Sequence, residues 1–220
     1  SLAIEKLRRA GALLSSVLLR IYRESPYGVV RLEALMALSA TPDNHFITAV
    51  TEASQDAYEL VQRQAIRFIA KNGDRRLIPA LIRLSIANNT SDRCNFNVMT
   101  ALACFPKEDL LAEFDRQFDA PSLQYLDKNN LRGKIRNTIA HSADRLTTDI
   151  DKVVKGEASE KDRTFTIRAL RNTLPHHKVP ELLVYLQDCG DGNTQILLLE
   201  ALGWHTVSCH AADIAATALK

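Results

Sequence analysis

The sequence has few of the residues that define small disulfide-bonded domains. Its four cysteines include no pair separated by two residues, and 220 residues are enough to bury a core without disulfide bonds. We therefore expect reduced cysteines that are mostly buried as small apolar side chains. These cysteines are Cys94, Cys104, Cys189 and Cys209.

Catalytic signatures are missing as well. The sequence contains no GxSxG, HExxH, P-loop or GxGxxG motif. His141, Ser142 and Asp144 lie close together, but we interpret His141 as a cation near the last carbonyls of a helix rather than as part of a catalytic set. The sequence thus predicts a protein that is not an enzyme and that needs no cofactor.

Long apolar runs and a strong excess of one charge are also absent. No run of uncharged apolar residues reaches the length of a membrane span, and we expect a cytoplasmic protein. In residues 2–23 the apolar stripe is flanked by Arg20 and Arg23, which indicates an amphipathic helix rather than a signal peptide. The net charge of +2 is far from the basic composition of most nucleic-acid binders. Because the chain starts at Ser1 rather than Met, a processed or trimmed piece of a longer protein is one interpretation of the sequence.

The seven prolines and eight glycines mostly stand between segments with helical periodicity. The clearest example is Asp56–Leu84, where two apolar helical segments are separated by Asn72-Gly73-Asp74 and Pro79 falls in the first turn of the second. No alternating strand pattern is present, so the sequence predicts an all-α fold. Further helices are predicted at 2–23, 28–40, 45–54, 95–104, 108–118, 123–140, 143–154, 159–174, 180–187, 193–204 and 211–220, with a polar turn at Asn88–Asp92.

The predicted helices recur with a regular period. The first helix of each pair contains an apolar residue followed four positions later by a small or apolar residue. We expect both positions to face the core. The second members are separated by 31, 35, 35, 34 and 32 residues, and a period near 33 is typical of stacked helix pairs. The aligned pairs are Val30/Ala34, Val61/Ala65, Phe96/Thr100, Leu131/Ile135, Phe165/Ala169 and Leu197/Ala201.

Three of these units resemble HEAT repeats, in particular the short HEAT-like type also found in phycobilisome lyases. The resemblance implies a single domain over residues 1–220, built as a right-handed α-α superhelix of about six helix pairs, with the first helix of each pair lining the concave side. The matching residues are Val61, Ala65, Gly73-Asp74, Ile78-Pro79, Leu81 and Leu84 in one unit, Val30-Arg31, Ala34, Leu38 and Pro42-Asp43 in a second, and Arg168-Ala169, Val179-Pro180 and Leu182 in a third.

On that geometry a mostly basic ridge follows the concave side, because residues three positions apart share a helix face. We expect a non-enzymatic scaffold whose ridge binds an acidic protein or peptide. Three alternatives stay open: a solvated face with intrachain ion pairs, a nucleic-acid-binding or DNA alkylation-repair-type array, and a regulatory domain of a larger protein. The candidate binding residues are Arg31, Gln64, Arg67, Arg132, Lys134, Arg168 and Arg171, with Glu33 and Glu200 as opposing charges.

Histidine and cysteine accumulate near the C-terminus. His205 and Cys209 are four residues apart, so one helix face could present both to Zn²⁺, with His177 and Cys189 completing a tetrahedron. A polar loop and a core thiol explain the same residues, and no CxxC or HxxxH pattern supports the metal. The sequence therefore predicts no metal site.

Overall fold

The computed structural model describes residues 14–40, 42–90, 96–118 and 131–205, together with the helical residues 212, 214 and 216. These residues form helices and turns and contain no strand, which confirms the all-α prediction. The chain forms two compact units, Ser1–Ile69 and Ala70–Lys220, and each is described by itself below.

The first unit is built from short helices that are separated by tight turns. They are α1 (Ser15–Glu24), α2 (Gly28–Leu38), α3 (Asn44–Ala53) and the beginning of α4 (Glu59–Asn72). Asp43 begins α3 by accepting hydrogen bonds from the backbone N–H groups of His45 and Phe46. Phe46 is fully buried and meets the ring of Phe68 edge-on, with the ring centroids 5.4 Å apart.

The second unit is organised around one long helix. Its helices are α5 (Ile78–Thr90), α6 (Phe96–Leu102), α7 (Lys107–Phe118), α8 (Leu131–Val154), α9 (Glu160–Ala169), α10 (Val179–Asp188) and α11 (Gly192–Gly203). Helices α5, α6, α7, α9 and α10 all contact α8, and α9 also packs against α11. Single 3₁₀ turns precede α5 and α10, at Arg75–Leu77 and His176–Lys178.

Helix α8 corrects the prediction of two helices at 123–140 and 143–154. Residues 123–130 lie outside the described part, and one continuous helix of 24 residues runs from Leu131 to Val154. Its buried residues form one uninterrupted stripe, and the helix contains no proline or glycine between Gly133 and its end at Val154. The hydroxyl of Ser142, at the expected break, donates to the carbonyl of Thr138 at 2.7 Å, four residues earlier. The stripe comprises Ile135, Ile139, Ser142, Ala143, Leu146, Ile150 and Val153.

His141 is therefore not at a helix end, as we had expected, but exposed in the interior of α8. The polar turn predicted at Asn88–Asp92 is also partly wrong, because α5 continues to Thr90. Predicted breaks that the structure confirms include Asn72-Gly73-Asp74 and the segment before α9. The break at 120–122 and nearly all of the helix at 211–220 lie outside the described residues.

One long-range contact joins the last turn of α4 to the 3₁₀ turn before α10. The imidazole Nε2 of His176 donates to the carbonyl of Ala70 at 2.7 Å, across a separation of 106 residues. The backbone N–H of His176 donates to the carbonyl of Cys104 at 2.9 Å. In a regular repeat array each unit contacts mainly its neighbours, whereas this contact joins the second and fifth predicted units.

Candidate functional site

The connection between α8 and α9 sets the position of the candidate site. Helix α8 ends in a Schellman motif, in which the N–H of Glu157 donates to the carbonyl of Lys152 at 2.9 Å and Gly156 adopts a φ of 73°. Ser159 then begins α9, because its hydroxyl oxygen accepts from the N–H of Asp162 at 3.2 Å. Both ends of this short connection are therefore defined by local hydrogen bonds.

The register of α9 differs from the predicted one. Phe165 was expected to face the core, but its side chain is 74% exposed. Ile167 and Leu170 are buried instead and join the apolar cluster shared by α8, α9, α10 and α11. Two strongly apolar residues three positions apart outweigh a single phenylalanine in choosing the buried face. As a result, Phe165 lies on the solvent side of α9 with Arg168.

The exposed sides of α9 and α11 lie next to each other and carry large side chains. Arg171, just after α9, donates to the carboxylate of Glu200 at 2.8 Å, and its guanidinium carbon lies 5.9 Å from the centre of the Trp204 ring. Ile196 is 59% exposed and Trp204 is 58% exposed. Ile196, Glu200 and Trp204 follow one another at four-residue spacing along α11, so they share one side of it. We call the following residues the α9–α11 face: Phe165, Arg168, Arg171, Ile196, Glu200 and Trp204.

Phe165 stands between two open concavities. The first, of about 580 Å³, is lined by Phe165 and by residues from the end of α8 and the connection, among them Asp149, Lys152 and Glu157. The second, of about 670 Å³, is lined by α9 residues that include Lys161, Phe165 and Arg168. Phe165 is thus accessible from both sides.

Among the seven predicted site residues, Arg31 stabilises its own unit. Its guanidinium forms hydrogen bonds of 2.8 and 2.7 Å with both carboxylate oxygens of Asp56, and only 17% of its side chain is exposed. Burial raises the pKa of Asp56, but the hydrogen bonds from Arg31 and from the backbone of Tyr58 outweigh burial and leave that pKa below its usual value. The exposure we expected of Arg31 is therefore wrong. In the same unit Gln64 is half-buried and Arg67 is exposed.

The remaining predicted residues belong to the second unit. Arg132 contacts Asp115 at 3.3 Å and lies 5.3 Å from the centre of the Phe118 ring, so it joins α8 to α7. Lys134 is exposed on α8. Arg168 is exposed on α9, and Arg171, just after α9, is exposed and paired with Glu200. Within the described ranges, neither Lys134 nor Arg168 forms an ion pair.

Of the residues that could have held a metal, His205 lies in the core and His177 is half-buried. The Nε2 of His205 donates to the carbonyl of Leu170 at 2.6 Å, and His205 is buried. Cys104 is a buried free thiol whose pKa is raised by burial to about 12, which opposes formation of a thiolate nucleophile. Cys189 is a half-buried free thiol. The described residues contain no group of three potential metal ligands, and Cys94 and Cys209 lie outside them.

Phe165, Ile196 and Trp204 are the residues of this face that the sequence did not indicate. The spacing of Ile167, Leu170 and Leu174 could have shown that Phe165 points away from the core. A tryptophan at the exposed end of α11 was the other available signal.

The described chain is thus an all-helical protein in which two adjacent helices expose aromatic, aliphatic and arginine side chains. No helix in the described ranges is long and apolar enough to cross a membrane. Comparisons with protein-family models, with curated proteins and with solved structures gave no significant match.

Proposed function

We propose that this protein is a non-enzymatic binding module that holds an acidic protein segment on the α9–α11 face. The observation that carries the proposal is the pair of exposed aromatic rings, Phe165 and Trp204, on neighbouring helices with Arg168 and Arg171 beside them. Tryptophan and arginine are the residues most enriched among those that dominate binding energy. Exposed apolar side chains grouped on one surface also favour an interaction site.

The two arginines have different roles in this proposal. Arg171 is held by Glu200 and by the Trp204 ring, so it loses little side-chain freedom on binding. Arg168 is exposed, and it forms no ion pair with a described residue. Its guanidinium is therefore available for a two-hydrogen-bond contact with a partner carboxylate.

The HEAT-like right-handed superhelix predicted from the sequence remains part of the proposal. It is supported by helices joined through tight turns, such as α4 and α5 at Gly73. Helix α8 is its main departure, because one helix stands where a pair was predicted.

Selection of short peptides from a random display library, with the purified protein as bait, tests the binding function. We expect selected peptides to combine carboxylates with a large apolar residue. Their affinity should fall at least about tenfold in Arg168→Glu, because the reversed charge repels a carboxylate that arginine attracts. Fluorescence anisotropy with a labelled selected peptide measures the loss.

Arg20→Glu is the matched control, since Arg20 is an exposed arginine on α1 and the substitution makes the same change of charge. Circular dichroism of each variant verifies that it is folded. If no peptide is selected, or if selected peptides bind Arg168→Glu and the parent protein equally, the α9–α11 face is not the site.

The nucleic-acid alternative has its own readout in the same assay. A labelled random DNA duplex replaces the peptide, and the salt concentration is varied. If the dissociation constant rises steeply with salt, and if Arg168→Glu raises it further, the partner is a nucleic acid bound through its phosphate backbone and not a protein segment.

A further inference from the structure

The two concavities beside Phe165 differ in charge. The second concavity is balanced, because Lys161 and Arg168 line it together with the carboxylates of Glu160 and Asp162. On the α8 side, three carboxylates line the concavity against one amine, that of Lys152. The three carboxylates belong to Asp149, Glu157 and Asp162.

The acidic side is not neutralised by the surrounding protein. Within the described residues, Asp149 and Glu157 form no ion pair, and Asp162 accepts a hydrogen bond from the neutral hydroxyl of Ser159 at 2.7 Å. The carboxyl end of α8 reaches the same place, and the last carbonyls of a helix carry partial negative charge. A purely acidic segment crossing Phe165 would therefore bring its carboxylates against those of the protein.

We infer that the segment bound on this face is bipolar. A partner apolar side chain covers Phe165, a carboxylate lies over Arg168, and a lysine or arginine enters the acidic concavity between α8 and α9. The inference rests on the proposed function and adds the second charge to the description of the partner.

Phe165 suits this arrangement because both concavities share its ring. A cation held by Asp149 and Glu157 can also contact the ring face, and such a cation–π contact is attractive. The excess of carboxylates on the α8 side also determines the direction in which the segment lies, because the reversed direction places the partner's carboxylate in the acidic concavity.

Two display libraries of equal length and diversity test the inference. Both have randomised apolar residues at the centre. The bipolar library carries acidic residues on one side and basic residues on the other, and the acidic library carries acidic residues on both sides. We expect the protein to enrich the bipolar library at least about tenfold over the acidic one, which corresponds to about 1.4 kcal/mol.

Charge reversal on the α8 side should change the preference. In the double variant Asp149→Lys/Glu157→Lys the acidic library should be enriched over the bipolar one. The single variant Glu157→Lys provides the same test at an exposed position after the end of α8, if the double variant does not fold. Asp188→Lys is the control, because Asp188 is exposed at the end of α10 and lines neither concavity.

The outcomes separate the inference from the function on which it rests. Equal enrichment of both libraries, with binding that still requires Arg168, overturns the bipolar partner and leaves an acidic-segment binder. Enrichment of neither library overturns both. A preference for the bipolar library that is the same in Glu157→Lys and in the parent protein also overturns the inference.

Discussion

Gly73 connects the end of α4 to the core of the second unit. Its φ of 70° lies in the left-handed region, and a methyl group at its Cα would overlap the imidazole ring of His176. That ring is buried and donates to the carbonyl of Ala70. Gly73 is thus required both by the backbone conformation and by the histidine that packs on it.

We predict that Gly73→Ala destabilises the protein by about 2–4 kcal/mol, from backbone strain together with displacement of a buried ring. Gly156→Ala is the matched control, because Gly156 has a φ of 73° but open space around it. Gly156→Ala should lower the free energy of unfolding by only about 1 kcal/mol. Urea unfolding followed by circular dichroism measures both, and equal losses would mean that the His176 contact contributes nothing.

The half-buried His177 and the buried His205 should make the protein sensitive to mild acid. Burial is the main reason why the pKa values of His177 and His205 are lowered, and the charges of Lys178 and Lys71 lower them further. Above about pH 6.5 these side chains are neutral in the folded and unfolded states alike. Below it the unfolded state binds protons first, so the free energy of unfolding decreases as the pH falls toward the folded pKa values.

We predict a decrease of at most about 1.4 kcal/mol per pH unit for each histidine, measured by urea unfolding between about pH 7.5 and pH 5. His205→Gln should make the decrease shallower, because glutamine cannot take up the proton but retains an N–H donor for the carbonyl of Leu170. If the substitution leaves the pH dependence unchanged, protonation of His205 does not limit stability in this range.

At the scale of elements, α8 is the feature that organises the second unit. Among the described helices, α5, α6, α7, α9 and α10 contact it, and its buried stripe continues through the position where the sequence predicts a turn. The hydroxyl of Ser142 bonds back to Thr138 and contacts the sulfur of Met99 at 3.3 Å, so a polar residue that resembled a break is part of the packed face.

We predict that His141→Pro costs about 3 kcal/mol or more, because proline removes a hydrogen bond inside a continuous helix and its ring collides with the preceding turn. The side chain of His141 is exposed, so little packing is lost. Glu160→Pro is the control, because it places proline at the first position of α9, where proline is tolerated. Thermal unfolding compares the two variants, and similar midpoints would indicate that α8 is interrupted at residue 141.

At the scale of the whole molecule, the charges that form one basic ridge in the sequence are distributed differently in space. Arg31, Arg132 and Arg171 each pair with a carboxylate of their own unit. Their partners Asp56, Asp115 and Glu200 are 25, 17 and 29 residues away along the chain. Helical spacing shows which residues share a face, but it does not show which carboxylate a neighbouring helix places opposite them.

The sequence by itself determined the helices, most of their ends and the all-α class. These features depend on local chemistry, namely apolar periodicity, the glycine at 73, the cap at Ser159 and the prolines in first turns. Only the tertiary structure decided that 131–154 is one helix, that Phe165 points outward and that Arg171 lies beside Glu200 and Trp204. Those outcomes depend on which apolar residues pack together across long stretches of chain, because burial against other helices outweighs the preference of any single residue.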